Sequence, residues 1–140
     1  DRPHNGTRCQ PNCLSVLAIR ERDKLIHPMS DLQELIQALV KFRDERDWAQ
    51  FHDSKNLASA IGIEAAELNE LFLWKTIKES EGVDPVRLKE ELADVFMYTL
   101  MLAERHGIDM KKAVLEKLAK NAEKYPVDKA KGSAKKYTDL

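Results

Sequence analysis

From Leu32 onward, stretches with apolar residues at three- and four-residue steps alternate with short polar breaks, a pattern that predicts helices joined by short connections. Leu32, Leu35, Ile36, Leu39 and Phe42 form one stripe, so a first helix is expected over about Asp31 to Arg46, capped by Ser30 or Asp31. A connection from Asp47 to Asp53 carries Trp48, Phe51 and His52. A second helix follows, from Asp53 or Ser54 to about Trp74, and the polar stretch Lys75 to Asp84 reads as a loop. Asp84-Pro85 is a strong start signal, with Asp as cap and Pro at the first helical position. The third helix therefore covers about Pro85 to His106 and stops at Gly107, which tolerates the left-handed conformation of a helix end. Asp109 caps a fourth helix that ends at Tyr125, because Pro126 disfavours helix in the residue before it. The expected architecture is all-α, an antiparallel four-helix bundle, followed by a lysine-bearing tail over 127–140 that reads as extended and mobile.

The third helix is more apolar than one buried face requires. Leu92, Ala93, Val95, Phe96, Met97, Tyr98, Leu100, Met101, Leu102 and Ala103 wrap most of its circumference. Such a helix is buried on several sides, and four helices of this length cannot cover it alone. A dimer or higher oligomer built around the second and third helices follows.

Composition narrows the class. With 140 residues the chain suits one domain, and 43% hydrophobic against 34% charged residues is a globular balance. The net charge of −1 gives no basic excess to attract a nucleic-acid polymer or a membrane surface. No run approaches the roughly 18–20 apolar residues of a membrane span. The first 28 residues have no sustained period and show no secretory pattern, so a cytoplasmic location is expected. They read as a leader or expression-derived extension, with the helical domain over 29–126. Cys9 and Cys13, with His4 and His27 nearby, lack zinc-site spacing and are assigned no function.

The informative feature is the position of four acids. Glu64 falls between Ile61 and Leu68, in the middle of the second helix's apolar stripe, and Glu67 lies one turn on. On the third helix Glu91 falls between Leu88 and Val95, and Asp94 follows three residues later beside Tyr98. Each helix thus sets two carboxylates at i and i+3 on its inward face. Burying unpaired like charges costs several kcal/mol each, and no basic residue occupies a complementary stripe position on either helix. A divalent-cation site accounts for the pattern; pairing with lysines or placement at an exposed rim is the plainer alternative. All-oxygen donors select Mg²⁺, Mn²⁺ or Ca²⁺ over zinc. A di-iron carboxylate site would need a His three residues after a central Glu, and neither helix has one.

Other residues can complete a site for metal-bound phosphates. On the fourth helix Asn121 interrupts the stripe of Val114, Leu118 and Tyr125, with Lys117 and Lys124 beside it. Asn121 is either a ligand to phosphate, sugar or base or a satisfied core amide, and the lysines face either phosphates or solvent. Trp48 and Trp74 can stack on a nucleobase or simply pack. His52, Lys55 and Asn56 form a polar cluster that reaches phosphates or caps the second helix. Glu70 drifts round the helix away from Glu64 and Glu67.

Glu64-x-x-Glu67 followed by Glu91-x-x-Asp94 resembles the signature of the all-α nucleoside triphosphate pyrophosphohydrolases of the MazG-like superfamily. Within it the chain looks most like the dCTP pyrophosphatase branch and its small bacterial relatives. The supporting strings are 42–48 (FRDERDW), 50–52 (QFH), 55–57 (KNL), 71–74 (LFLW), 90–95 (EELADV), 121–126 (NAEKYP) and 132–138 (GSAKKYT). The resemblance implies Mg²⁺-dependent cleavage of a nucleoside triphosphate, dCTP or a modified dCTP foremost, to the monophosphate and pyrophosphate. Mn²⁺ is a possible substitute. It implies that Glu64, Glu67, Glu91 and Asp94 hold the metal and that Glu64 and Glu67, chiefly Glu67, act on the attacking water. Trp48, His52, Lys55, Asn56, Trp74, Tyr98, Lys117, Asn121 and Lys124 would bind the nucleotide, and the assembly would be a homotetramer of two dimers. Two departures stand out: Leu39 takes a place where some animal members carry histidine, and the loop over 75–84 is shorter. The competing class is a catalytically silent helical module that binds nucleotides or a partner protein.

Overall fold

The structure, a computed structural model, describes residues 30–139; the expected leader over 1–28 with its two cysteines lies outside them. Among the described residues the chain is all-helical. α1 runs over Asp31–Asp44, α2 over Ser54–Glu70, α3 over Ile77–Ser80, α4 over Pro85–Arg105, α5 over Met110–Lys124 and α6 over Val127–Ala130. Two 3₁₀ turns, Trp48–Phe51 and Tyr137–Asp139, complete the secondary structure. No described helix is long and apolar enough to cross a membrane.

The caps are local chemistry. Ser30 and Gln33 close α1 reciprocally, the Ser30 amide donating to the Gln33 side chain at 3.1 Å and the Gln33 amide to the Ser30 hydroxyl at 3.4 Å. Asp53, Asp84 and Asp109 accept from the amides of Asn56, Val86 and Lys112 at 2.8, 2.9 and 3.0 Å, and so start α2, α4 and α5. Gly107, at φ 62°, ends α4 as expected.

Three stretches differ from expectation. The second helix stops at Glu70 rather than Trp74: residues 71–74 form turns, and Trp74 itself adopts a left-handed φ of 62°. The expected loop over 75–84 contains α3, which Thr76 and Glu79 close with a second reciprocal capping box. The tail is not simply extended, for it holds α6 and a 3₁₀ turn whose Tyr137 ring meets Tyr125 edge-on at 5.8 Å.

Two compact units divide the chain after Glu34, and the described part of the first is the capped opening turn of α1. In the second, α2 and α4 pack along their lengths and supply most of its small core. Leu57, Leu71, Leu100, Met101 and Ala103 are its buried members. Elsewhere large apolar side chains stay open, among them Leu92 and Phe96 on α4 and Val114, Leu115 and Leu118 on α5. An apolar cleft of about 390 Å³ between α1 and α4 is lined by Leu35, Leu39, Phe42, Phe96 and Met97.

Candidate active site

The seam between α2 and α4 positions the acids. Glu64 lies seven residues from the buried Leu57 of its helix and from the buried Leu71 that caps it, so it shares their inward stripe. Asp94 stands in the same relation to the buried Met101. Carboxylate oxygens of Glu64, Glu67 and Glu91 all come within 4.8 Å of one another, Glu64 and Glu91 half-buried and Glu67 exposed. Asp94 is half-buried and close enough for its charge to act on both Glu64 and Tyr98. Among the described residues none of these acids forms an ion pair with Lys or Arg.

The electrostatics follow from that crowding. Burial pushes the Glu64 carboxyl above the usual range, and the charges of Glu67, Asp94 and Glu91 push it further. Burial likewise raises the Tyr98 phenol, with Glu64 and Asp94 adding to it. Three clustered oxygen donors without a cationic partner fit a hard divalent ion. Mg²⁺ takes oxygen ligands of this kind and usually keeps several waters.

An aromatic run leads from this cluster to the end of α1. The Tyr98 and His52 ring centroids are 6.4 Å apart, His52 and Trp48 are 6.4 Å apart, and Trp48 and Phe42 are 5.9 Å apart, all edge-to-face. Arg46 covers the outer face of Phe42 at 3.7 Å. Burial lowers the pKa of His52, helped by the charge of Arg43, which favours its neutral form. Its Nδ1 is buried and makes no hydrogen bond among the described residues. The hydrogen-bonding capacity of that nitrogen is therefore unmet among them. The turn that carries Trp48 begins with Asp47 at φ 54°, where the Gln50 side chain donates through Nε2 to the Asp47 carbonyl at 2.9 Å.

Of the residues expected at the site, the structure thus brings together Glu64, Glu67, Glu91, Asp94, Tyr98, His52 and Trp48. It commits the Asn56 side chain to the Phe51 carbonyl at 3.0 Å and leaves Lys55 exposed. Trp74 is 93% exposed. Asn121 is half-buried on α5, Lys117 is exposed, and Lys124 lies over the Tyr137 ring at 5.1 Å. Neither hydrogen bond nor ion pair ties these α5 side chains to the acids among the described residues. Sequence reasoning passed over Ser54, Glu104, Arg105 and His106, which bond the turn, α1 and α4 to one another. The signal for them is slight: three polar residues in a row that close an apolar helix.

A helical frame holding two facing Glu-x-x-acid pairs is that of the all-α pyrophosphohydrolases. The chain belongs to the MazG-like family, which matches residues 59–140 and so takes in both acid pairs and the tail. It is 41% identical to dCTP pyrophosphatase 1 of Rattus norvegicus over 118 residues, 81% of this chain and 69% of that protein. It is 42% identical to dCTP pyrophosphatase 1 of Homo sapiens over the same shares. A solved pyrophosphatase from Archaeoglobus fulgidus is similar with a TM-score of 0.68 and 40% identity, over 71% of this chain and 96% of that one.

Proposed function

We propose that the chain is a cytoplasmic, Mg²⁺-dependent pyrophosphohydrolase that converts dCTP or a modified dCTP to the monophosphate and pyrophosphate and so cleans the nucleotide pool. The observation that carries this reading is the clustering of the Glu64, Glu67 and Glu91 carboxylates within 4.8 Å, with no cationic partner among the described residues. The dCTP pyrophosphatases to which the chain is similar supply the substrate class.

Glu64, Glu67, Glu91 and Asp94 would hold the ion. Bound there, Mg²⁺ supplies charge neutralisation and Lewis acidity to the triphosphate. Glu67, the exposed acid of the cluster, orients the attacking water and takes its proton as the water oxygen bonds to the α-phosphorus. The bond from that phosphorus to the bridging oxygen breaks, and pyrophosphate leaves with the electron pair. His52, Trp48 and Tyr98 receive the base.

The remaining expected ligands reach the site through assembly. α5 carries Lys117, Asn121 and Lys124 together with open leucines, and Trp74 stands in solvent. We place both at a contact between copies, in a homotetramer of two dimers whose protomers each form a four-helix bundle. The uncovered apolar side chains of α2, α4 and α5 support that reading.

Pyrophosphate release from a panel of dNTPs and NTPs, including 5-methyl-dCTP, with Mg²⁺ and with EDTA, tests the proposal. Metal-dependent release concentrated on cytosine nucleotides is expected. A flat profile overturns the substrate assignment, and no release from any nucleotide points to a silent binding module.

A further inference from the structure

The turn that carries Trp48 and His52 has little burial to hold it. Trp48 and Phe51 are 43% and 59% exposed, and no residue between 47 and 53 is buried. Ring contacts and bonds within the turn hold it locally, and the polar contacts that tie it to α4 converge from one place. At the end of α4, one of three consecutive residues bonds α1 and the other two bond the turn and the start of α2. Glu104 accepts from Arg43 of α1 at 3.4 Å, an arginine whose side chain is 16% exposed. Arg105 donates through Nη1 to the His52 carbonyl and through Nε to the Ser54 hydroxyl, both at 3.3 Å. The same Ser54 hydroxyl is hydrogen-bonded to His106 Nε2 at 2.9 Å.

We infer that Glu104, Arg105 and His106 form a clasp that sets the His52 ring and the Trp48 turn against Tyr98, and that Arg105 is thereby a positioning residue for nucleotide binding. The inference rests on the reading of that turn as the wall that receives the base.

Helix geometry makes the clasp informative. Glu91, Tyr98 and Arg105 are spaced by seven residues, so they lie along one stripe of α4. One rigid helix therefore carries an acid of the cluster, then the innermost ring of the aromatic run, then the tether of the turn. At 1.5 Å per residue the tether stands about 10 Å beyond Tyr98. Arg105 grips the backbone of the residue whose ring faces Tyr98, which fixes the distance between the base wall and the acids. Lys replaces it only in part, because one ammonium group does not present the planar pair of donors that spans two acceptors. The position also suits a cation, since the carbonyl end of a helix carries partial negative charge.

Arg105→Ala is expected to raise KM for the nucleotide about tenfold, with kcat at saturation within about twofold and the Mg²⁺ requirement unchanged. Arg105→Lys should fall between the two. In a Trp74→Phe background, where Trp48 is the remaining tryptophan, Arg105→Ala should shift Trp48 emission to the red and increase its quenching by acrylamide. If Arg105→Ala fails to fold, Ser54→Ala removes the shared hydroxyl and should change Trp48 in the same direction. The clasp is overturned if Trp48 emission and quenching stay as in the parent. It is also overturned if kcat and the Mg²⁺ requirement worsen along with KM, which would mark a general loosening of α4. A parent that hydrolyses no nucleotide defeats the functional reading instead, and leaves the fluorescence to decide the clasp.

Discussion

Glu64 and Glu67 are one turn apart on the same helix and differ in what surrounds them, Glu64 half-buried and Glu67 exposed. Replacing Glu67 by Gln should lower turnover by about 10²–10⁴-fold, the usual contribution of a positioned base, while circular dichroism stays native. Replacing Glu64 by Gln acts on stability too. Its raised pKa means that the folded state disfavours the charged form, so the metal-free protein is destabilised at neutral pH. Glu64→Gln should raise the metal-free Tm and remove most of the rise that Mg²⁺ brings to the parent; an unchanged Mg²⁺ response would show that the ion binds elsewhere. His52 works in the opposite pH direction. Its folded-state value lies below the ordinary 6.5, so the unfolded chain binds the proton more readily. The stability this confers at neutral pH is lost as pH falls from about 6.5 through the lowered value. His52→Gln should flatten that part of the curve of Tm against pH. The acids were legible in the sequence because an ionised group in a leucine stripe contradicts its surroundings. Arg105 was not, since an arginine in the last turn of a helix is ordinary, and its partner is a backbone carbonyl that no periodicity reveals.

The four long helices were legible down to their caps, because Asp or Ser before an apolar period satisfies orphan amides wherever the chain goes next. The sequence misled at the end of α2, where Leu71, Phe72, Leu73 and Trp74 continue the apolar character while the backbone turns away. It also misled at α3 and in the tail, where single helical turns are too short for a period and depend on one reciprocal cap or one ring contact. The seam between α2 and α4 carries most of the burial, which bears on where stability resides. Leu100→Ala should cost about 2–5 kcal/mol in urea unfolding, as for other buried leucines. Leu115→Ala, at a side chain 57% exposed in one chain, should cost well under that in any dissociated form. Equal losses would mean that α5 belongs to the same core.

For the whole molecule, the apolar character of α4 was legible from composition around its circumference, but the partner that covers it was not. The family match and the helical neighbour fix the frame, and the open leucines of α5 show how much of the surface a single copy leaves apolar. If copies cover those faces, the midpoint of urea unfolding should rise with protein concentration, because association stabilises by mass action. A midpoint constant from low to high micromolar concentration, with a monomer mass by light scattering, would rule the assembly out.

Trp74 shows what that arrangement implies for engineering the protein. A bulky side chain held at φ 62° costs roughly 1–2 kcal/mol relative to glycine, and its indole gains nothing in return within one chain. Selection for thermal tolerance of the dissociated chain should therefore discard the tryptophan, and selection for turnover should restore it. A library randomised at this one position and sorted both ways would part company there, a trade between durability and work confined to a single residue.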